Sequence, residues 1–177
     1  MADEIIDICD EDNKIIGQKL KSEAHKKGLW HRSAQIWIYN SKGEILLQLR
    51  TKNKTLCPNL WDASVAGHVA SGEEPIISAL REMEEEIGLK LEENDLKLLK
   101  IRKNSLAFGG LINKEWAYIY TYIFDGDINK LHLQKDEVQE VKFISPDDME
   151  KELKTVLKTY VPLGEYWNEM IAEARKI

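Results

Sequence analysis

The segment from residue 67 to 89, GHVASGEEPIISALREMEEEIGL, constrains the fold more than any other part of the chain. An α-helix from Pro75 to Ile87 would advance about 100° per residue, so that its regularly spaced apolar residues would share one stripe. The stripe consists of Ile76, Leu80, Met83 and Ile87. The opposite side carries three carboxylates one turn apart, Glu82, Glu85 and Glu86. The pattern predicts an amphipathic helix with one buried face and one acidic face.

Three carboxylates this close repel one another unless a cation neutralises them. Hard divalent cations take oxygen ligands, so the acidic face predicts a divalent-metal site. Arg81 can pair with Glu73 and fix the preceding loop against the helix, and Gly88 suits the helix C-cap. The alternative is a solvated acidic face, which is the commoner meaning of a run of charges.

Strand-like and helix-like periodicities alternate along the rest of the chain, without internal repeats. Residues from about 4 to 21 predict an N-terminal β-hairpin, and C-terminal helices are expected between about residues 146 and 175. Strands flanked by helices in this mixed order indicate an α/β or α+β fold with a mixed sheet. With 177 residues, of which 43% are hydrophobic, the chain 1–177 is expected to form one domain.

Composition and charge limit the kinds of molecule that the protein is expected to bind. The formal charge of −6 argues against binding to nucleic-acid polymers or anionic membranes, and no apolar stretch approaches the roughly 20 residues of a membrane span. The two cysteines have no metal-type spacing, and the N-terminal sequence lacks the features of a secretory signal, so a cytoplasmic location is expected. The N-terminal hairpin could extend the sheet or meet a second copy, which leaves a homodimer open.

The stretch 67–89 also matches a named motif in full, namely a glycine, five residues, a glutamate, seven residues and then REMEEEIGL. The chain thereby resembles the Nudix hydrolases, whose Nudix box has this spacing. All seven specified residues are present, namely Gly67, Glu73, Arg81, Glu82, Glu85, Glu86 and Gly88. The resemblance implies an α/β/α sandwich with a mixed β-sheet, in which a loop-helix-loop motif binds Mg²⁺, with Mn²⁺ as an alternative.

The resemblance implies an activity as well, the hydrolysis of a diphosphate linkage by attack of water on phosphorus. The substrate would be a nucleoside di- or triphosphate, or another small molecule with an X-linked diphosphate. The expected metal ligands are Gly67, Glu82, Glu85 and Glu86. The three glutamates are also the expected catalytic residues, together with Glu115, the best candidate outside the box. The general base stays open between Glu82 and a residue outside the box.

A second resemblance covers residues from about 25 to 125, including LWHRSAQIWIYNSKGEILLQLR and PNLWDASVAGHVASGE. These segments are similar to the type 1 isopentenyl-diphosphate isomerases, which share the Nudix fold and hold a metal with three histidines and two glutamates. The histidine positions match His25, His31 and His68. The catalytic cysteine of those enzymes falls on Ala66, and one of their two glutamates is replaced by Asn113, whereas the other survives as Glu115.

These departures favour hydrolysis over isomerisation. Alanine has no group that can exchange a proton with carbon, and the loss of a carboxylate weakens a cation site built on histidines. An isomerase-like enzyme and a non-hydrolytic sensor of a diphosphate metabolite remain the alternatives. His31 and His68 could bind a second metal or substrate or serve only structure, whereas His25 is expected at the surface. Arg50, at the end of a strand, could meet phosphate oxygens.

Overall fold

A nine-stranded mixed sheet forms the centre of the computed structural model, which describes residues 3–177. The strands are β1 (Ile5–Cys9), β2 (Ile15–Leu20), β3 (Trp30–Tyr39), β4 (Ile45–Arg50), β5 (Trp61–Asp62), β6 (Val65–His68), β7 (Lys97–Phe108), β8 (Leu111–Ile123) and β9 (Val138–Ile144). The α-helices are α1 (Lys21–Lys27), α2 (Pro75–Ile87), α3 (Pro146–Thr155) and α4 (Glu165–Ala174). The predicted mixed sheet is therefore confirmed.

Strand β3 organises the sheet. It runs parallel to β8 along its whole length and antiparallel to β1, β6 and β4, each of which takes a different part of its other edge. Every residue of β3 from Ser33 to Tyr39 is buried. Because successive side chains point to opposite faces, burial at every position means that both faces of the sheet are covered.

Two hydrophobic cores lie on the two faces of the sheet. On one face, Ile36 and Ile38 of β3 pack in a cluster with Met83 and Ile87 of α2. On the other face, residues of β3 and α4 form a second cluster in which Trp37 meets Trp167 edge to face, with ring centroids 5.5 Å apart. Helices on both faces of a mixed sheet make an α/β/α sandwich, as the sequence predicts.

Helix α2 has the predicted bounds and orientation. It begins at Pro75, whose ring fixes φ at a helical value. Proline has no backbone N–H, which costs nothing here because an N–H in the first turn has no acceptor within the helix. Gly88 ends it in the left-handed conformation, with φ of 74° and its N–H donated to the Glu84 carbonyl. Met83 and Ile87 are fully buried, so the apolar stripe faces the core.

The first two strands form a hairpin around a turn at residues 10–13, and all six residues of edge strand β2 are exposed. An exposed edge can pair with another chain, so a homodimer through this hairpin stays a prediction. Within residues 3–177, every helix is too short or too polar to cross a bilayer.

Candidate active site

Glu86 is the most deeply buried carboxylate of the acidic helix face. Its side chain is 3% exposed, and its Oε2 accepts a hydrogen bond of 3.2 Å from Nε2 of Gln48 on β4. Burial raises the pKa of Glu86, and the neighbouring charge of Glu82 raises it further. Burial also raises the pKa of Glu82. The two carboxylates therefore need a cation if both are to stay ionised.

Arg81 connects the residues of the Nudix-type segment 67–89 through hydrogen bonds and ion pairs. Its Nη1 donates to Glu82 Oε1 at 2.8 Å and to Glu85 Oε2 at 3.3 Å. Its Nη2 donates to the His68 carbonyl at 3.3 Å, and its Nε lies 3.7 Å from Glu73 Oε2. The guanidinium thus joins helix α2 both to the loop before it and to the end of β6, which agrees with a supporting role for the pair formed by Arg81 and Glu73.

The three box carboxylates do not share one point. The side chain of Glu85 is 49% exposed and leans on Arg81, whereas that of Glu82 is 13% exposed and Glu86 turns inward. Arg81 holds Glu85 along the helix surface, whereas Gln48 bonds to Glu86 on the buried side of the helix. Glu82 accepts a hydrogen bond from Arg81, and its charge raises the pKa of Glu86.

Gly67 leaves the space in which this arrangement forms. A Cβ atom at this position would lie 2.1 Å from Cδ of Glu82, closer than real Cβ contacts come. The glycine therefore lets a carboxylate lie directly against the backbone of β6. Two buried carboxylates beside an unshielded backbone offer only hard oxygen donors, so these residues fit Mg²⁺ or Mn²⁺.

Lys54 is a residue of this site that sequence reasoning missed. It is mostly buried in the loop between β4 and β5 and forms an ion pair with Glu137. Burial lowers the pKa of Lys54, as does the charge of Arg50, while the charges of Glu86 and Glu82 act in the opposite direction. In the sequence it lies in the lysine-containing segment TKNKT, and such a segment is equally typical of a solvent-exposed loop.

Arg50, a candidate phosphate ligand, forms several hydrogen bonds within the protein. Its Nη1 donates to Asp62 Oδ2 at 2.8 Å, and its Nε and Nη2 donate to the carbonyls of Leu56 and Cys57. These bonds fold the loop that carries Lys54 against β5. Only the remaining N–H groups of Arg50 are free to meet a substrate, so its main visible role is to hold the loop.

Three histidines from three elements meet on the other side of β6. One ring nitrogen from each of His25, His31 and His68 lies within 4.8 Å of the other two. Among residues 3–177, no other group of three or more His, Cys, Asp or Glu side chains brings its ligand atoms this close together. His25 Nε2 and His68 Nε2 are 3.1 Å apart. His25 is 8% exposed, so the expectation that it lies at the surface is wrong, because α1 packs it against β3 and β6.

The histidine cluster has the features of a ligand set. His31 Nδ1 lies 2.9 Å from the Leu29 carbonyl, which orients the ring, while its buried Nε2 has no partner among the described residues. Burial lowers the pKa of His25 to about 4, helped by the nearby charge of His31, and lowers that of His68 well below its usual value. The two rings are therefore neutral at pH 7, as metal ligation requires.

Glu115 and the two departures from the isomerase pattern border this cluster. Glu115 lies opposite His31 in the parallel register of β3 and β8, is 8% exposed, and places Oε1 3.9 Å from His68 Nε2. Asn113 precedes it by two residues on the same face of β8. Ala66 lies on β6 two residues before His68. The structure thus brings the sequence-predicted residues into two neighbouring groups, the box carboxylates and the histidine cluster.

Asp7 links the N-terminal hairpin to the loop before α2. Its carboxylate accepts hydrogen bonds from Ser71 Oγ at 2.6 Å, the Gly72 N–H at 3.0 Å and Gln18 Nε2 at 3.3 Å. Burial alone would raise the pKa of Asp7, but the bonds from Ser71 and Gly72 lower it. The hairpin therefore fixes the shape of the loop in which Glu73 lies.

Replacing Asp7 with alanine should lower the free energy of unfolding by about 1–3 kcal/mol, because the hydrogen bonds that the buried Asp7 carboxylate accepts from Ser71 and Gly72 are lost. Urea unfolding at pH 7 measures the change. The matched control is Asp12→Ala in the exposed turn of the same hairpin, which should change stability by under about 0.5 kcal/mol. Equal losses in the two variants would show that Asp7 does not anchor the loop.

Comparisons with known proteins show the family to which the chain belongs. Residues 6–163 match the family model of the NUDIX domain. The chain is 36% identical over 152 residues to an uncharacterized Nudix hydrolase of Clostridium acetobutylicum, covering 84% of this chain and 73% of that protein. It is 35% identical over 124 residues to an isopentenyl-diphosphate Delta-isomerase of Serratia proteamaculans, covering 70% of this chain and 68% of that one.

A crystal structure of a Deinococcus radiodurans protein has the same fold, with a TM-score of 0.69 and 21% identity over 97% of this chain and 99% of that one. The sandwich, the loop-helix-loop and the complete box together define a Nudix protein. The chain belongs to the Nudix family and is a hydrolase of that family.

Proposed function

We propose that this protein is a divalent-metal-dependent hydrolase that cleaves the phosphoanhydride bond of a diphosphate in a nucleoside di- or triphosphate or a related X-linked diphosphate. The observation that carries the proposal is the buried pair Glu82 and Glu86 beside the unshielded backbone of Gly67. Two carboxylates in one low-dielectric site are costly on their own and become favourable when they hold a cation.

Glu82, Glu86 and the Gly67 carbonyl would hold Mg²⁺ or Mn²⁺, and Glu85 joins them when its side chain turns away from Arg81. A bound ion supplies charge neutralisation on the phosphate and a lowered pKa for water. The pair formed by Arg81 and Glu73 would hold the loop in a fixed position relative to helix α2. Lys54, whose pKa is lowered by burial while the charges of Glu86 and Glu82 act in the opposite direction, would add positive charge where an anionic diphosphate would lie.

Glu115 is the candidate general base outside the box. It is a mostly buried carboxylate whose Oε1 lies 3.9 Å from Nε2 of His68, a ring that burial keeps neutral. A carboxylate that is not paired with a cation is free to accept a proton from water. Glu82 is the alternative base within the box, although its hydrogen bond with Arg81 weakens it as a proton acceptor.

The proposal is tested by a screen for phosphate release across nucleoside di- and triphosphates, nucleotide sugars, dinucleotides and isoprenoid diphosphates. We expect turnover of at least one class with Mg²⁺ or Mn²⁺ and none after chelation, because Glu82 and Glu86 need the ion to act. Binding of a diphosphate with no release at saturating ion would favour the sensor instead. Equal turnover with and without ion would reject a metal-dependent site.

The histidine cluster supports a second metal site. Three imidazoles suit softer divalent ions than the oxygen donors of the box do, and Asn113 and Glu115 add oxygen donors beside them. The two sites flank Gly67 on β6, because His68 and the Glu82 carboxylate approach this glycine from different sides.

Similarity to an isopentenyl-diphosphate isomerase makes carbon chemistry the second candidate. We expect no conversion of isopentenyl diphosphate to its allylic isomer, because Ala66 cannot exchange a proton with carbon. Proton NMR of the reaction mixture measures the conversion. Ala66→Cys should fail too, since Asn113 still stands where a carboxylate is needed and catalytic groups act as a unit. Isomer formation that disappears in Glu115→Gln would contradict this expectation.

Both cysteines are buried thiols, and burial raises the pKa of Cys9 and of Cys57, which makes them unreactive. Unpaired thiols suit a reducing compartment, so we place the activity in the cytoplasm, with a small-molecule diphosphate as the partner.

A further inference from the structure

Gln48 is a polar side chain at a position where packing alone would favour an apolar one. It is 2% exposed on β4, where its direct neighbours are Asp62 of β5 and Val141 of β9. Leu46, two residues earlier on the same face of the strand, is fully buried in the cluster under α2. Burying an amide in such a place is costly unless the amide is hydrogen-bonded. The hydrogen-bond partner of Gln48 therefore indicates its role.

The neighbouring strands leave the Gln48 amide to helix α2. Val141 has no polar side-chain atom, and both oxygens of Asp62 already accept hydrogen bonds of 2.8 Å, Oδ2 from Arg50 Nη1 and Oδ1 from a backbone N–H. Among residues 3–177, the side chain of Gln48 forms one hydrogen bond, in which Nε2 donates to Glu86 Oε2 at 3.2 Å. A buried polar group of the sheet is thus directed at a proposed metal ligand.

Glu86 is fixed at both ends of its side chain. Its backbone lies in the last turn of α2, where its carbonyl accepts a hydrogen bond of 2.9 Å from the Gln134 N–H. Gln48 holds one oxygen of the carboxylate from the side of β4. Burial raises the pKa of Glu86, and a hydrogen bond from the Ala66 backbone works against this effect, which places the carboxylate beside β6 as well. A side chain that is held at both ends gives up little rotamer freedom when it binds an ion.

A second buried glutamine has a hydrogen bond that serves packing within the core. Gln35 on β3 is 8% exposed, and its Oε1 accepts a hydrogen bond of 3.0 Å from the Tyr166 hydroxyl. Tyr166 belongs to the core cluster on the other face of the sheet, and its hydroxyl accepts a hydrogen bond of 2.8 Å from Trp37 Nε1. This network ends on core residues, whereas the hydrogen bond of Gln48 ends on a box carboxylate. Gln35 is therefore the matched control for Gln48.

We infer that Gln48 is a positioning residue of the metal site, which holds the Glu86 carboxylate in the orientation that binds the divalent ion. Groups that hydrogen-bond to a metal ligand keep it in the binding geometry, and their loss weakens the affinity for the ion. Gln48 acts on the ion through Glu86 alone. The inference rests on the proposed function, since the ion at the box is part of that proposal.

Calorimetric titration with Mn²⁺ at pH 7 tests the inference without requiring hydrolysis. Gln48→Met removes the N–H donor but keeps an unbranched side chain of similar length, and the Kd for Mn²⁺ at the box should rise about tenfold or more. Gln48→Leu, a second replacement without a donor, should give a similar rise. Gln35→Met also removes a buried hydrogen bond and should lower the melting temperature, but it should leave this Kd within about twofold.

Glu86→Gln identifies the box site in these titrations, because the binding that it weakens is distinguished from any binding at the histidine cluster. In this background, Gln48→Met should cause no further rise in Kd, since its effect passes through the Glu86 carboxylate. An equal rise in the parent and Glu86→Gln backgrounds, or an unchanged Kd in both Gln48 variants, would overturn the inference and leave the proposed hydrolase intact. Mn²⁺ binding that Glu86→Gln does not affect would instead reject the metal site at the box, and the inference with it.

Discussion

Glu86→Gln should lower turnover by about 10²-fold or more at saturating Mg²⁺ while the protein stays folded. Glutamine keeps the shape of the side chain and can still meet Gln48, but it removes the negative charge that a divalent ion requires. Because burial raises the pKa of Glu86, the uncharged variant should be at least as stable as the parent protein in metal-free buffer. Steady-state kinetics and thermal unfolding measure the two effects.

Glu84→Gln is the matched control for this experiment. Glu84 lies on the same helix two residues away, is exposed, and has only a long contact of 3.9 Å with Lys90. Its replacement should leave turnover within about twofold, as expected for a surface substitution. Similar losses in Glu84→Gln and Glu86→Gln would mean that overall helix charge, rather than a specific ligand, drives the reaction.

Gly67→Ala should lower turnover by about 10²-fold as well, for a steric reason. The added Cβ would lie 2.1 Å from Glu82 Cδ and 2.2 Å from its Oε1, so the carboxylate must leave the backbone of β6. A displacement of about 1 Å at a catalytic group is sufficient for a loss of this size. The variant should also require a higher Mg²⁺ concentration for half-maximal rate, which a titration of rate against Mg²⁺ measures.

Gly17→Ala provides the control, because a Cβ on Gly17 meets nothing within 4 Å and this residue lies in exposed strand β2. It should leave both the rate and the Mg²⁺ dependence unchanged. A Gly67→Ala variant with normal Mg²⁺ dependence would show that Glu82 does not need its present position to hold the ion.

The parts of the fold that the sequence predicts are those governed by local periodicity. Helix α2 follows from the apolar spacing of Met83 and Ile87 and from the terminal residues Pro75 and Gly88, all of which act within a few turns. The box follows from the same local spacing. These features need no knowledge of which strands are neighbours.

The parts that the sequence does not predict depend on tertiary contacts. The parallel pairing of β3 with β8 joins residues about 80 positions apart, and no local pattern encodes it. The burial of His25 depends on how α1 packs against β3, and the exposure of Glu85 depends on the competing attraction of Arg81. The burial of Lys54 is equally unpredictable from the sequence, because it depends on hydrogen bonds from Arg50 that fold the loop back.

In the mechanism that we propose, the box directs water onto a phosphorus atom of the diphosphate. Turnover in ¹⁸O-labelled water, followed by mass spectrometry of the products, tests it most directly with the diphosphate that is hydrolysed fastest with Mg²⁺. We predict one ¹⁸O atom per turnover in a phosphate-containing product, and the labelled fragment identifies the phosphorus that is attacked. Products whose phosphate groups all lack ¹⁸O would contradict the claim.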